Sequence, residues 1–331
     1  MNRPPSLAIG IAAALGAGLL WGLVFVAPLL LPTYPATLLT LGRYLAFGLV
    51  TLPIAWWFRR ELRALSKSDW WIATKLSLIG NFLYYLALSA AIQMAGAPLP
   101  TLIIGTLPVV IAICSNLGVA KSFSWKSLAP SLLLIASGLL FVNADQLKRV
   151  AETGSFSSYA LGATLAWIAV AAWTWYPIHN ARWLQQHNQH SSMTWASAQG
   201  LVTLPIALVG FVGLMSYYEL SGHATFGFNR FGDAADKFWM LMFVIGFSAS
   251  WLGTLLWNIA SKNTPTALTG QLIVFETLAA LGYAYVVYAR APSLFEALGI
   301  AILVVGVIVG VRTFSRGTPI QSREQRALDC D

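Results

Sequence analysis

Charge is what this chain of 331 residues has least of: Asp, Glu, Lys and Arg together supply only 10% of it, against about 25% in an average soluble domain. With 57% hydrophobic residues, that scarcity excludes a water-soluble globular fold and leaves a membrane protein. Cysteine is almost missing too. Cys114 in an apolar run and Cys330 near the end form no metal spacing and no disulfide framework. The net charge of +8 comes from Lys and Arg scattered through connections, not gathered on one face, so it does not point to nucleic acid. No Gly-x-x-x-x-Gly-Lys-Ser/Thr loop occurs, which excludes ATP hydrolysis by that route. His187 and His190, with His179 nearby, have no Cys, Asp or Glu beside them in the chain and read as residues of a solvated loop. Neither a metal nor another cofactor is expected.

What the chain has in abundance is apolar length. Windows of about 20 apolar residues, enough to span a bilayer core, fall at 6–28, 35–58, 70–93, 98–119, 127–144, 158–179, 193–216, 237–260, 265–289 and 294–314. The first is too long for a signal peptide and leads into further spans. Barrel strands would be half that length and would alternate in polarity. The expected fold is an all-α polytopic membrane protein with ten transmembrane helices. Lys and Arg in alternate connections set its orientation. Arg3, Arg59, Arg60, Arg63, Lys67, Lys121, Lys126, Arg182, Lys262, Arg312, Arg316, Arg323 and Arg326 fall on one side; only Lys148, Arg149, Arg230, Lys237 and Arg290 fall on the other. Both termini are therefore expected in the cytoplasm. Trp56, Trp57, Trp70, Trp71, Trp125, Trp183, Trp195 and Trp239 stand at predicted span ends and read as interfacial anchors.

An exact repeat organises the chain. Gly48-Leu49-Val50-Thr51-Leu52-Pro53-Ile54-Ala55 returns as Gly200-Leu201-Val202-Thr203-Leu204-Pro205-Ile206-Ala207. Trp21 precedes the first copy by the distance at which Trp173 precedes the second, and Pro98 to Gly138 parallels Thr266 to Gly306. A five-span half is an odd number, so the second copy must enter the bilayer upside down, the inverted repeat of secondary transporters with substrate bound near the midplane. The expected divisions are 1–144 for the first half, 145–157 for a periplasmic connection, 158–314 for the second half and 315–331 for a disordered cytoplasmic tail.

Ten spans in two halves, cytoplasmic termini, Trp21-Gly22 in the first span and Pro108 in the fourth answered by Glu276 in the ninth resemble the drug/metabolite transporter superfamily. The likeness is to its ten-helix bacterial aromatic amino acid exporters. That resemblance implies a non-ATP transporter of the bacterial inner membrane, and it alone implies export.

Particular residues can carry such chemistry. Arg43 and Glu276 are ionisable residues inside spans, which is costly and places them toward the bundle interior. They read either as partners for the two ends of a zwitterionic substrate or as a structural ion pair. Polar faces run through the third span (Ser77, Asn81, Tyr84, with Tyr85 beside), the fourth (Thr101, Thr106), the eighth (Ser250, Thr254, Trp257, Asn258, Ser261) and the ninth (Thr269, Gln271). Together they predict a central cavity with few fixed charges, suited to a neutral or zwitterionic solute and not to a phosphorylated one. Trp21, Trp167, Trp173, Trp175, Trp251 and Trp257, with Phe25 and Tyr176, are expected deep in the bundle, where rings favour large apolar side chains. Pro53 and Pro205 predict paired kinks, read as hinges or as plain bends, with Thr51 and Thr203 placed to take up the carbonyls that proline frees. Gly10, Ala14, Gly18 and Gly22 form a small-residue packing stripe. The fifth and tenth spans have almost no polarity and are expected at the periphery or in a homodimer contact. The resulting expectation is a monomeric or homodimeric amino acid transporter in the lipid bilayer, not an enzyme. Transport of another small neutral or zwitterionic metabolite is the nearest alternative. A membrane-embedded enzyme is the distant one, because it would need a convergent catalytic set beyond the isolated Arg43 and Glu276.

Overall fold

The computed structural model describes residues 6–95, 100, 103–117, 125–153 and 156–316. Apart from one two-stranded hairpin, these residues are helices and their connections, as lipid requires of backbone that must satisfy its own polar groups. Numbered in chain order, the rods are α1 (Leu7–Leu30), α2 (Ala36–Trp57), α3 (Lys67–Ala95), α4 (Leu107–Leu117), α5 (Trp125–Thr153), α6 (Phe156–Gln186), α7 (Ser192–Leu220), α8 (Ala235–Asn263), α9 (Thr266–Leu272 continuing as Val274–Val287) and α10 (Leu294–Arg316). Among the described residues, eight of these are long and apolar enough to cross a membrane; α4 is shorter, and α5 holds the apolar stretch Ala129–Val142.

Two connections differ from the sequence expectation. Helix persists through Thr153 and resumes at Phe156, so the predicted connection 145–157 is largely helical. Its residues from Ala144 to Glu152 include good helix formers and no proline or glycine. Beyond α7 the polar stretch forms an antiparallel hairpin, β1 (Phe226–Gly227) and β2 (Arg230–Phe231). Gly232, just after it, has φ +71, and a Cβ there would meet the Tyr34 hydroxyl at 2.9 Å. Both the conformation and the space call for glycine.

The helices pair in matched sets. α2 packs along α7, α5 along α10 and α4 along α9, while α3 with α6 is answered by α8 with α1, and α1 with α9 by α6 with α4. The repeated octapeptide lies at the α2–α7 crossing and touches its own copy. A Cβ on Gly48 would come within 2.5 Å of Leu204, and one on Gly200 would collide with Thr51. Early residues of each copy face later residues of the other, so the two run past one another in opposite directions. Thr51 and Thr203 each donate to the carbonyl four residues back, of Phe47 and Gln199, at 2.8 and 2.6 Å. Those are not the carbonyls of Leu49 and Leu201 that the prolines free, because a threonine hydroxyl reaches its own i−4 carbonyl most easily. Pro53 and Pro205 themselves point outward, and both helices continue past them.

The small-residue stripe packs as expected. Gly10 abuts Asn263 and Thr264, Gly18 abuts the backbone of Phe275 and Glu276, and Gly22 abuts Ala279 and Ala280. α5 and α10 lean on each other, with Ser131 Oγ donating to the Gly306 carbonyl at 2.8 Å. Their outer faces expose Leu133, Leu140, Leu298, Val304 and Ile308, which sets them at the periphery.

One further local feature recurs in both halves. α3 is π-helical over Ser77–Leu83 and α8 over Gly246–Leu252, seven residues each, at corresponding places in their halves. A π segment inserts an extra residue into the turn, and such segments cluster at functional sites. Here they turn side chains toward the centre of the bundle.

Candidate functional site

The central cavity begins with those two π segments. Gly80 and Ala249 hold the fourth position of each, Asn81 and Ser250 the fifth, and all four line the cavity. α1 adds Trp21 and Val24, α2 adds Arg43 and Tyr44, and Tyr84, Trp173, Thr254 and Glu276 complete the wall. The walls thus come from α1, α2, α3, α6, α8 and α9, and among the described residues α4 contributes none. The sequence expectation of third, fourth, eighth and ninth spans is corrected to that extent. The reason is that α1 and α6 turn their tryptophans inward while α2 carries Arg43 across the middle. The cavity's room is about 10 Å3, on the order of one water molecule.

Rings fill most of the surrounding volume. Trp21 and Trp173, the corresponding tryptophans of the two halves, meet edge to face at 5.0 Å. Trp173 is sandwiched between Tyr84 at 4.6 Å and Tyr176 at 4.9 Å, both stacked. Trp257 packs on Trp21 at 5.0 Å. Tyr176 fits only because position 80 is glycine, since a Cβ there would overlap its ring.

Arg43 Nε donates to Ser250 Oγ at 3.0 Å. Its guanidinium lies 4.5 Å from the Tyr85 ring centre and 5.1 Å from that of Tyr44, the cation–π placement that offsets burial of a cation. Tyr85 donates to the Val24 carbonyl at 3.3 Å, and Tyr44 to the Asn81 carbonyl at 2.9 Å. Glu276 is reached by the Tyr84 hydroxyl at 3.5 Å.

Of the residues singled out from sequence, the structure brings Trp21, Arg43, Asn81, Tyr84, Trp173, Ser250, Thr254 and Glu276 to the cavity itself. Tyr85, Tyr176 and Trp257 stand directly behind them. Asn258 belongs to a separate buried chain in which Tyr176 donates to Gln199 Oε1 at 3.0 Å, Gln199 to Asn180 Oδ1 at 3.3 Å, and Asn180 to Asn258 Oδ1 at 2.9 Å. Trp195 Nε1 joins at Asn180 Oδ1, 2.8 Å. Trp251 stacks on half-exposed Phe247 at 6.2 Å, and Gln271 is buried against Gly310 of α10; neither lines the cavity. Thr101 lies outside the described residues.

Several aromatic and histidine readings change. Trp183 and Trp195, expected as interfacial anchors, are only 2% and 0% exposed and stack at 3.4 Å. Each of their indole N–H groups has a buried acceptor, Asp69 and Asn180, which a headgroup anchor would not need. Trp167, expected deep, is 51% exposed on the outside of α6. His187, read as solvated and without acidic company, stacks on Trp183 and lies 3.8 Å from Asp69 of α3. Tyr44, Gly80 and Asn180 were missed. Tyr44 adjoins Arg43 in the chain, the one signal that pointed to it; the others become visible only through packing.

Residues 8–144 match the EamA-like transporter family. The inner membrane protein YtfF of Escherichia coli is 45% identical over 92% of this chain and 95% of its own length. The chain belongs to the EamA-like transporter family. An uncharacterized transporter of Synechocystis is 21% identical over 86% of this chain and 80% of its own. A solved crystal structure covers 93% of this chain and 99% of its own with a TM-score of 0.67 at 18% identity, a likeness of fold. This EamA-like protein is accordingly a multi-pass inner membrane transporter of the drug/metabolite type. Its central cavity, walled by α1, α2, α3, α6, α8 and α9, gathers both ionisable side chains and rings.

Proposed function

We propose that this transporter carries amino acids with aromatic or other large apolar side chains across the inner membrane by alternating access, without ATP and in the direction of export. Its ten spans form two inverted five-helix repeats with both termini in the cytoplasm. The observation that carries the reading is a small central cavity where Arg43 and Glu276 face the same space inside a wall of Trp21, Tyr84 and Trp173. The matched helix pairs, the matched π segments and the octapeptide crossing its own copy support the repeat. A space of about 10 Å3 holds no amino acid, so cargo enters only when the rings part and one side of the bundle opens. Pro53 and Pro205 are the proposed hinges of that movement. Replacing both with Ala slows transport and leaves the amount of folded protein unchanged.

The reading is tested by counterflow in proteoliposomes across a panel of amino acids, with and without a proton gradient. Protein-dependent exchange fastest for phenylalanine, tyrosine, tryptophan and leucine is the expected result. Exchange confined to other small metabolites would replace the cargo and keep the mechanism; absence of any flux would remove both.

A further inference from the structure

The cavity contains two ionisable side chains of opposite sign that do not pair with each other. Arg43 and Glu276 are 5% and 2% exposed, yet the ion pairs within 4.0 Å among the described residues do not include one between them. Arg43 spends its Nε on Ser250, and Glu276 Oε1 has only the long contact from Tyr84. Four further polar atoms are idle: Arg43 Nη1, Asn81 Nδ2, Trp173 Nε1 and Glu276 Oε2 are buried with no hydrogen-bond partner. Three are donors and one is an acceptor, and all four residues line one cavity.

Buried polar atoms without partners are uncommon and costly, most of all on charged groups. A structural ion pair would have closed on itself, because a buried pair repays its desolvation only with good geometry. What the idle atoms lack defines what fits them. A neutral solute would leave both charges without partners, and an amine or a carboxylic acid would leave one. A molecule with a carboxylate and an ammonium on a short backbone answers all four atoms. Building on the transport reading above, we propose that Arg43, with Asn81 and Trp173, receives the carboxylate of an α-amino acid while Glu276, with Tyr84, receives its ammonium. These two charged residues therefore set the charge class of the cargo independently of its side chain.

Binding to detergent-solubilised full-length protein, followed by tryptophan fluorescence and thermal shift, tests this without requiring transport. The probes are L-phenylalanine, 3-phenylpropionate, which lacks the amine, and 2-phenylethylamine, which lacks the carboxylate; L-alanine, propionate and ethylamine repeat the series with a small side chain. The native protein should bind each amino acid about tenfold or more tighter than its two truncated analogues. Glu276→Gln should reverse that order in favour of the carboxylic acid, and Arg43→Gln in favour of the amine. Arg43→Lys, which keeps the charge, should retain the preference for the zwitterion and controls for folding. Reversal in the alanine series alone would keep this proposal and remove the preference for large apolar side chains. Equal loss of all three probes in both variants, native affinity for 2-phenylethylamine matching that for L-phenylalanine, or no binding of any amino acid by the native protein would each overturn it.

Discussion

The two ends of the bundle are closed by different chemistry. At the end where α1 begins, closure is polar. Asn180 ties α6 to α8 through Asn258 and to α7 through Trp195 and Gln199, and Trp183 reaches across to Asp69 at the start of α3. Asp69 in turn forms a capping box with Ser66. At the other end closure is a matter of rings. Tyr34 stacks on Phe238 at 5.1 Å and meets Phe226 at 5.2 Å, Phe231 stacks on Trp239 at 5.5 Å, and the hairpin is held down on them. Polar ties there lie nearer the surface: Tyr34 donates to the Phe231 carbonyl at 2.7 Å, Gln93 joins the Tyr34 carbonyl and the Ala36 N–H at 2.9 and 3.2 Å, Lys237 donates to the Leu30 carbonyl at 3.0 Å, and Glu219 accepts from the Phe228 N–H at 3.2 Å, none of them fully buried as the Asn180 bonds are.

The contrast teaches how the two ends of one bundle come to differ. Aromatic contact is graded and tolerant of sliding, since it depends on area and dispersion. A chain of buried amides is closer to all-or-none, because breaking one bond strands a donor or acceptor. Tyr176 links that chain to the cavity, its ring stacked on Trp173 and its hydroxyl bonded to Gln199. Displacing the stack would thereby also loosen the polar end.

Four substitutions sharpen or break the contrast, and thermal unfolding of purified protein reads the stability of each. Phe238→Ala empties the centre of the ring cluster, whose edge fills the notch at Gly42, and should cost about 3 kcal/mol or more. Asn180→Leu keeps volume but strands Trp195, Gln199 and Asn258; about 2 kcal/mol is expected, with faster labelling of a cysteine placed at Ser261. Tyr176→Phe keeps the stack and removes one hydroxyl. It should cost about 1 kcal/mol and change the transport rate more than the affinity. Tyr34→Phe should be mildest, about 0.5 kcal/mol, in the range of membrane side-chain hydrogen bonds. A loss from Tyr34→Phe as large as that from Asn180→Leu would break the comparison, because both ends would then depend on polar bonds. Unchanged unfolding in Asn180→Leu would break it from the opposite side.

Much of this architecture is legible in the residues alone. Apolar length places most of the helices within a few residues, since span length is set by the bilayer and not by partners, whereas α5 and α6 run on past their predicted ends through polar residues. Arg43 and Glu276 stand out because charge inside a span is rare enough to be conspicuous. The small-residue stripe in α1 is equally readable, as close packing in lipid needs small side chains. The failures share a cause. Trp183, Trp195 and Trp167 were placed by position along the span, whereas burial depends on which way each faces around the helix and what stands opposite. His187 found Asp69 from a helix more than a hundred residues away, a proximity no local pattern contains.

The sequence by itself determined the membrane class, most of the helical segments, the exact octapeptide repeat and the two ionisable residues inside apolar spans, all of which can be read from composition, period and identity. Only the tertiary structure decided that Arg43 and Glu276 share one cavity without pairing, that Trp21 meets Trp173, and that one end has a buried chain of amides and the other a cluster of rings with its polar ties nearer the surface. Those facts depend on the phase of each helix about its axis. The π segments in α3 and α8 shift that phase by one residue, and hydrophobic patterning does not record the shift.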